Sequence, residues 1–275
     1  MVKLLNGKKI SEEILKELRK KIKRNHLELT LGVVLAGDNK VSKIYIKHKR
    51  KACQKTGISF KLFKFSSKIN TLELKKEIKK ILPVVSGLIV QLPLPKKIKA
   101  QEVLNIIPTE KDVDCLSEKS LGKFYTGKFL ILPPMAGAIS QIFKKYKIKI
   151  KGKNVVIIGA GRLTGKPMTI WFLQKKATVA VVNEFTKNII FFVKNADILF
   201  SGVGKPNLIT GEMIKRGAVI IDAGTSHNKQ GKLVGDIDFK SVSKKAGYIT
   251  PVPGGIGPLT VACFLENLIK LNTKT

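Results

Sequence analysis

Short apolar runs recur along the chain, and the segments between them carry helical periodicity. The runs that predict strands lie at 31–36, 60–65, 87–92, 154–158, 178–182, 197–201 and 218–222. Most of them are continuous rather than alternating, which is typical of strands buried on both faces of a parallel sheet. The pattern therefore predicts an α/β fold with two successive series of parallel strands and helices.

The intervening segments predict helices. Ser11 is expected to cap the first helix, and Thr71 to cap a later one. A polar stretch, 116–128, is expected to be irregular. A boundary after residue 133 gives an N-terminal domain, 1–133, and a second domain, 134–258. Further helices are predicted near 41–55, 99–106, 139–146, 165–175, 189–194, 211–215 and 259–271.

Composition narrows the class of protein. The 275 residues are enough for two cores, 44% of them are hydrophobic, and no apolar run approaches the roughly 20 residues of a membrane-spanning helix. The N-terminus lacks the apolar stretch of a signal peptide. Cys53, Cys115 and Cys263 are too scattered for a disulfide framework or a zinc site. We therefore expect a reduced, cytoplasmic protein with no metal and no membrane partner.

The net charge is strongly positive, with 52 Lys and Arg against 19 Asp and Glu, or +33. Only 5 of these cations are arginines, the residues that read bases and clamp phosphates. The lysines are spread along the whole chain, so we attribute them to an A/T-rich genome and expect no nucleic-acid partner. A basic nucleic-acid-binding protein stays open as an alternative. The field would still attract anionic small molecules, such as a dinucleotide or a polyglutamylated substrate.

A glycine-rich loop marks a candidate nucleotide site. The run 154–158 leads directly into Gly159, Ala160 and Gly161, and Gly165 stands where a helix is predicted to begin. Glycines allow a tight turn there, and the helix N-terminus offers free amides to phosphate. The spacing is one residue longer than the usual fingerprint. The loop predicts a Rossmann-like dinucleotide-binding domain, with Thr225, after a later strand, at the same carboxyl edge.

Glu184 bears on the choice of dinucleotide. It lies 25 residues after Gly159, just past the second strand of that domain. A carboxylate at this place accepts hydrogen bonds from a ribose diol and repels a 2′-phosphate. Local chemistry therefore favours NAD, unless the side chain faces solvent.

The N-terminal half offers a second cluster of candidate residues. Ser42, Tyr45 and Lys49 share one face of a predicted helix, within an arc of about 60°. In a chain this rich in lysine, that spacing alone carries little weight. Gln91 interrupts the end of an apolar strand, where its amide needs partners, and a bond to the following proline-rich turn would also satisfy it. Asp114 closes the short acidic motif 111–114.

Four motifs in a fixed order resemble those of the bifunctional methylenetetrahydrofolate dehydrogenase/cyclohydrolase family. They are Tyr45-x-x-x-Lys49, the segment 90–95, the segment 111–114 and the loop 249–260, with three prolines and three glycines. The likeness extends from about Val33 to Asn267. It implies oxidation of 5,10-methylenetetrahydrofolate with NADP, hydrolysis of the product to 10-formyltetrahydrofolate, and a place in one-carbon metabolism and purine biosynthesis. It also implies a homodimer, and a last helix, 259–275, that completes the first, folate-binding domain.

The resemblance also implies roles for single residues. Lys49, Tyr45, Gln91 and Asp114 would form the catalytic group. The remaining folate contacts would come from Val90, Leu92, Pro253, Gly254 and Gly255. Gly159, Ala160, Gly161, Glu184 and Thr225 would line the cofactor.

Several positions depart from the family pattern. Ala160 replaces an arginine, Asn183 and Glu184 replace a pair suited to a 2′-phosphate, and Cys115 replaces the glycine after Asp114. The segment 133–136 reads Pro-Pro-Met-Ala where the family reads Pro-Cys-Thr-Pro. Two alternatives therefore stay open: a dehydrogenase that has lost the cyclohydrolase step, and another two-domain NAD(P) oxidoreductase.

Overall fold

The computed structural model describes residues 1–228 and 230–273. They divide into two compact units. The six-stranded unit contains Met1–Ile10 and Met135–Thr260, and the three-stranded unit contains Ser11–Pro134 and the C-terminal segment from Val261. Each unit is an α/β structure with a parallel sheet, as the apolar pattern predicted.

The described residues form the following strands and helices, each set numbered in chain order. The strands are β1 (Lys3–Leu4), β2 (Thr30–Ala36), β3 (Ser59–Phe65), β4 (Gly87–Val90), β5 (Asn154–Ile158), β6 (Thr178–Val182), β7 (Ile198–Ser201), β8 (Val219–Asp222), β9 (Ser226–His227), β10 (Leu233–Val234) and β11 (Tyr248–Ile249). The helices are α1 (Gly7–Arg24), α2 (Lys40–Thr56), α3 (Thr71–Ile81), α4 (Ala100–Leu104), α5 (Glu118–Tyr125), α6 (Pro134–Lys145), α7 (Gly165–Gln174), α8 (Ile189–Lys194), α9 (Phe239–Val242) and α10 (Ile256–Asn272).

The three-stranded unit is a sheet of order β3-β2-β4 between two layers of helices. Both faces of β2 are buried, which explains its unbroken apolar sequence. One face packs against α1, α2 and the C-terminal part of α10, and the other packs against α3 and α4. The carboxyl ends of β2 and β4 therefore meet next to the start of α2.

The six-stranded unit has the parallel order β1-β11-β8-β7-β5-β6. The chain leaves β5 toward β6 on one side and returns to β7 on the other, so β5 and β7 flank the switch point of a doubly wound sheet. A small antiparallel hairpin, β9 with β10, follows β8. Among the described residues, none of the helices combines the length and apolarity needed to cross a membrane.

Several boundaries differ from those expected. α1 begins at Gly7 rather than after Ser11, because the Asn6 side chain accepts from the Lys9 amide at 2.9 Å and caps the helix there. Asn70, not Thr71, caps α3, in a reciprocal pair with Glu73.

Three further segments also differ. The stretch 116–128 contains α5, capped by the Ser117 side chain. α6 begins at Pro134, since proline fits the first turn of a helix. Only a short 3₁₀ turn, Gly211–Met213, stands where a helix was predicted at 211–215.

The limits of the two units differ from the predicted domain limits at both ends of the chain. Residues 1–10 belong to the six-stranded unit rather than to the N-terminal domain, because β1 pairs with β11. The return of the C-terminal helix is assigned from Val261 rather than from residue 259, and the other boundary falls after Pro134. Residues 274 and 275 of the expected last segment lie outside the described residues.

Candidate functional site

Lys49 lies in the second half of α2 and is 5% exposed. Its Nζ donates a hydrogen bond of 2.9 Å to Gln91 Oε1 and lies 4.7 Å from the centroid of the Phe264 ring. The ring faces the ammonium group and partly compensates for its loss of water. Burial lowers the pKa of Lys49 to about 8, against the opposing effect of the Asp114 charge.

Gln91 fixes the direction of this amine. Its backbone N–H donates to Val34 O at 2.9 Å, so β4 continues by one pairing beyond Val90. Its Nε2 donates to Leu92 O at 2.8 Å, which turns Oε1 toward Lys49. A side chain that accepts from the lysine and donates to the backbone holds the amine in one orientation.

Tyr45 lies one helical turn before Lys49 and is half-buried, and Leu92 is half-buried as well. Ser42 is 1% exposed, its Oγ is 3.5 Å from Leu92 O, and its amide is capped by Asn39 at 2.9 Å. The Val90 side chain is 1% exposed and packs in the core beside α3 and α4. A contact between Val90 and substrate would therefore have to come from its backbone.

Asp114 is the carboxylate coupled to this group. It is half-buried, and burial raises its pKa to about 7, while the charge of Lys49 acts in the opposite direction. The two shifts bring an amine and a carboxyl group into the same range near neutrality. Paired titrations of this kind are common where protons are moved.

Two residues that sequence reasoning missed hold the segment carrying Asp114. The Asp112 carboxylate, 1% exposed, accepts from the amides of Leu116 and Ser117 at 2.9–3.2 Å. The Asn267 side chain, 3% exposed, donates to Val113 O at 3.0 Å and to Leu132 O at 2.8 Å. A buried asparagine within an apolar helix was the available signal for the second contact.

Cys115 occupies a strained position directly after Asp114. It is fully buried and has φ +57°, in the left-handed region that favours glycine. The family pattern places glycine there, so this chain carries a thiol where the backbone prefers no side chain. Burial raises the pKa of the Cys115 thiol, which keeps it neutral.

The glycine loop after β5 has the close packing that a phosphate cradle requires. Gly159 has φ +93°, and a Cβ on Gly165 would stand 1.8 Å from Gly159 O. Helix α7 can therefore begin directly against the loop only because residue 165 has no side chain. Ala160 and Gly161 are exposed at the carboxyl end of β5, at the switch point between β5 and β7. These features fit a bound dinucleotide with its phosphates at the N-terminus of α7.

Glu184 and Thr225 are both exposed at the carboxyl edge of the same sheet. Glu184 follows β6 in a turn in which the Phe185 amide donates to Asn183 Oδ1 at 3.0 Å. Thr225 follows β8 directly before β9. Both side chains are placed where a ligand on this edge could reach them.

Two buried carboxylates organise the loops that follow β7 and β8. Asp236, fully buried, accepts from Ser201 Oγ at 2.7 Å and from the amides of Val203 and Lys205 at 2.8 and 2.9 Å. Asp222 accepts from the amides of Gly224 and of residues 236 and 237 at 2.9–3.1 Å. We call Asp222 and Asp236 the carboxylate clasp. Burial raises the pKa of Asp222 to about 6, against the effect of these bonds.

The Pro/Gly-rich loop lies in the six-stranded unit, between β11 and α10. Pro253 is exposed, Gly254 has φ +103°, and Gly255 is buried. A Cβ on Gly255 would lie 2.6 Å from Pro251 O, so this part of the loop has no room for a side chain. The structure thus places the candidate residues in two groups: Tyr45, Lys49, Gln91 and Asp114 in the three-stranded unit, and Pro253, Gly254 and Gly255 in the other.

Within the described residues, no group of three or more His, Cys, Asp or Glu side chains is arranged to hold a metal ion. The three cysteines are buried and unpaired.

Comparison with known proteins covers nearly the whole chain. The family model described as tetrahydrofolate dehydrogenase/cyclohydrolase, catalytic domain, matches residues 5–114, and the corresponding NAD(P)-binding domain matches residues 133–275. A curated relative from Nautilia profundicola, named bifunctional protein FolD, is 43% identical over 97% of this chain and 96% of its own length.

Solved structures agree with these matches. A bifunctional FolD methylenetetrahydrofolate dehydrogenase/cyclohydrolase from Campylobacter jejuni superimposes with a TM-score of 0.95 at 38% identity, over 98% of each chain. A FolD from Trypanosoma brucei, solved with NADP cofactor and an inhibitor, has a TM-score of 0.92 at 32% identity, over 98% of this chain and 97% of its own.

Proposed function

Because the chain belongs to the tetrahydrofolate dehydrogenase/cyclohydrolase family, we propose that Lys49, Gln91 and Asp114 hold the folate and move the protons of its reaction. The enzyme oxidises 5,10-methylenetetrahydrofolate to the 5,10-methenyl compound with a nicotinamide dinucleotide, and then hydrolyses this product to 10-formyltetrahydrofolate. The observation that carries the assignment of residues is the buried amine of Lys49, which donates to Gln91 Oε1 at 2.9 Å. Burial also lowers the pKa of Lys49 to about 8 and raises the pKa of Asp114 to about 7, which is consistent with proton transfer.

In the first step, hydride transfer, the main task of the protein is to position the folate and the dinucleotide. The two nitrogens beside the methylene carbon supply electrons as the hydride leaves, so no general base is needed. When bound, the dinucleotide supplies the hydride acceptor. Asp114 suits the pterin edge, because a carboxylate can accept two parallel hydrogen bonds from a ring N–H and an amino group.

The second step requires proton transfer. Water adds to the cationic methenyl carbon and loses one proton, which gives a neutral carbinol adduct. The bond from that carbon to one ring nitrogen then breaks as the nitrogen is protonated, and the hydroxyl of the adduct loses its proton to become the formyl carbonyl, so one proton is released to solvent overall. A fully charged amine would be repelled by the cation. With its pKa at about 8, Lys49 is partly neutral near neutral pH and can take the proton from water and return it to the nitrogen. Gln91 keeps the amine aimed while it does so.

The test separates the two steps. Lys49→Met keeps the length and the apolar stem and removes the amine. We expect hydrolysis of methenyltetrahydrofolate to fall at least about a hundredfold, while measurable dinucleotide reduction survives. Lys47→Met, an exposed lysine on the same helix, is the matched control and should leave both rates unchanged. Parental hydrolysis in Lys49→Met would remove Lys49 from the mechanism. Hydrolysis absent from the parent itself would favour the dehydrogenase-only alternative.

We propose NADP as the cofactor, with NAD as a second candidate that the exposed Glu184 favours. A carboxylate beside the adenosine ribose repels a 2′-phosphate, and the family arginine of the glycine loop is Ala160 here. Against this, the strongly positive chain attracts the more highly charged dinucleotide.

Glu184→Ser tests this balance through kcat/KM for both cofactors. We expect the NADP/NAD ratio to rise about tenfold, which corresponds to removing roughly 1.4 kcal/mol of repulsion. Glu212→Gln, an exposed acid elsewhere in the same unit, should leave the ratio at its parental value. An unmoved ratio in Glu184→Ser would mean that the side chain faces solvent when the cofactor is bound.

We also propose that the enzyme is a homodimer that pairs through the six-stranded unit. Strand β6 lies at the open edge of that sheet, and Val181 on it is 39% exposed. Nearby in sequence, Phe185 and Phe191 are 84% and 63% exposed. Apolar residues along an unpaired edge are a typical surface for association with a second copy.

A further inference from the structure

The N-terminal segment runs beside the strand that leads into the Pro/Gly-rich loop. The amide of Lys3 donates to Gly247 O at 2.9 Å, and the amide of Leu5 donates to Ile249 O at 2.8 Å. The Leu5 side chain is fully buried, which fixes this segment in the core of the six-stranded unit. The next residues, 6–8, therefore lie beside the Pro/Gly-rich loop, and the pairing with β11 fixes which loop residues they contact.

Gly7 meets the loop at van der Waals distance. A Cβ built on Gly7 would stand 1.8 Å from Gly255 O and 2.7 Å from Gly255 C. Both clashes are with backbone, which cannot swing aside as a flexible side chain would. Gly7 has no positive φ, so the requirement for glycine here comes from this contact and not from its own backbone conformation.

Lys8 adds a directional contact. Its amide donates to Gly254 O at 2.8 Å, while the amide of Lys9 donates to the capping Asn6 side chain at 2.9 Å. The Asn6 amide donates to the Tyr146 hydroxyl at 3.0 Å and so anchors the cap. One free amide of the first turn of α1 thus donates its hydrogen bond to the loop rather than to a capping side chain or to water.

We propose that residues 5–8 are a positioning element for the folate: Gly7 and the backbone amide of Lys8 set the positions of Gly255 and Gly254. The inference rests on the proposed role of Pro253, Gly254 and Gly255 in folate binding. It adds residues that lie some 245 positions away in sequence and that need not touch the substrate. Displacing the loop to relieve such a clash misplaces a flat ligand packed on its backbone.

The test uses variants that change one contact each. Gly7→Ala introduces the clash with Gly255. Lys8→Pro removes the amide that donates to Gly254 O, and proline is tolerated in the first turn of a helix. Lys8→Ala removes the exposed side chain and keeps the amide, so it is the matched control for Lys8→Pro. Gly254→Ala perturbs the loop directly, at a position with φ +103°.

Steady-state KM values for methylenetetrahydrofolate and for the dinucleotide are measured for each variant. Trp171, the only tryptophan and 1% exposed, reports whether the six-stranded unit is folded. We expect Gly7→Ala and Lys8→Pro to raise the folate KM about fivefold or more, with kcat and the dinucleotide KM changed less than twofold. Lys8→Ala should match the parent.

Each other outcome overturns the inference in a distinguishable way. Parental folate KM in a folded Lys8→Pro, with a raised value in Gly254→Ala, leaves the loop as a folate site and removes the N-terminal segment from its positioning. A parental value in Gly254→Ala as well overturns the assignment of the loop to folate. Equal increases in both KM values, or an effect of Lys8→Ala as large as that of Lys8→Pro, would show a general disturbance instead.

Discussion

Lys49 keeps an ammonium group where little water reaches it, and the stability of the fold is lowered as a result. Its pKa falls from 10.5 to about 8 in the folded protein. Below about pH 8 the group is charged in both the folded and the unfolded chain, so the full desolvation penalty is present. As the pH rises from 8 toward 10.5, the folded protein loses the proton first, and the penalty disappears.

Lys49→Met should therefore stabilise the protein while it abolishes hydrolysis. Near pH 7 we expect the free energy of unfolding to rise by about 1–3 kcal/mol, and the gain to shrink as the pH approaches 10. Urea unfolding of the parent and the variant, followed by far-UV circular dichroism at both pH values, measures this difference. Lys47→Met should show no gain at either pH, and a loss of stability in Lys49→Met near pH 7 would contradict the argument.

Single residues of the site could be found from sequence to different degrees. Tyr45, Lys49, Gln91 and Asp114 stand in motifs, and their proposed roles were predicted from those motifs. The core position of Val90 was not foreseen, because the motif places it beside Gln91 without saying which face of the strand it occupies. Asp112 and Asn267 were missed because their side chains bond to backbone groups, nearby for Asp112 and about 150 residues away for Asn267, and only the asparagine within an apolar helix gave a signal in the sequence.

The carboxylate clasp makes two loops behave as one element. The Asp236 carboxylate can only accept, and its three donors all come from the end of β7 and the loop after it. The carboxylate also leaves no room for a side chain at Gly224, since a Cβ there would stand 2.3 Å from Asp236 Oδ1. The loops after β7 and β8 are thus held at the edge where the dinucleotide is proposed to bind.

Asp236→Asn places an amide N–H against backbone donors. We expect the free energy of unfolding to fall by about 1–3 kcal/mol and the dinucleotide KM to rise more than the folate KM. Trp171 fluorescence during urea unfolding and steady-state kinetics measure the two effects, with Glu212→Gln as the exposed control. Unchanged stability together with an unchanged dinucleotide KM would show that the clasp does not hold these loops.

Strands and helices were predicted well where most of their residues are buried, and poorly where only one or two residues are buried or where a single capping residue sets the boundary. Most of the longer parallel strands were found because both their faces are apolar, as in β2 and β5, and this information is contained in a few consecutive residues, whereas the two-residue strands β1 and β11 were missed. α5 was missed because it lies in a polar stretch and only Ser120 and Phe124 of its eight residues are buried. The starts of α1 and α3 were displaced because the apolar periodicity begins after the cap, whereas Asn6 and Asn70 fix the true first turn.

At the scale of the whole molecule, the open edge of β6 should decide the oligomeric state. We expect the parent to sediment as a dimer and Val181→Lys to sediment as a monomer, because a lysine on an edge strand blocks pairing with a second copy. Leu72→Lys, at an exposed apolar position of the three-stranded unit, is the matched control and should stay dimeric. A monomeric parent, or a dimeric Val181→Lys variant, would exclude this interface.

The sequence predicted two α/β cores but not how the chain is shared between them. β1 is two residues long, and nothing in Lys3 and Leu4 distinguishes a short edge strand from a loop. Its pairing with β11 is a contact across about 245 residues. That single long-range pairing moves the first ten residues from one unit to the other.

Both units draw on the end of the chain. The core of the three-stranded unit includes Val261, Leu265 and Ile269, and the six-stranded unit joins residues 1–10 to a segment that closes only at Thr260. During translation neither unit therefore has its full set of residues until the last helix has left the ribosome. Until α10 has been synthesised, the nascent chain therefore exposes two unfinished apolar cores. A chain released before Val261 lacks core residues of the three-stranded unit, so that core cannot close.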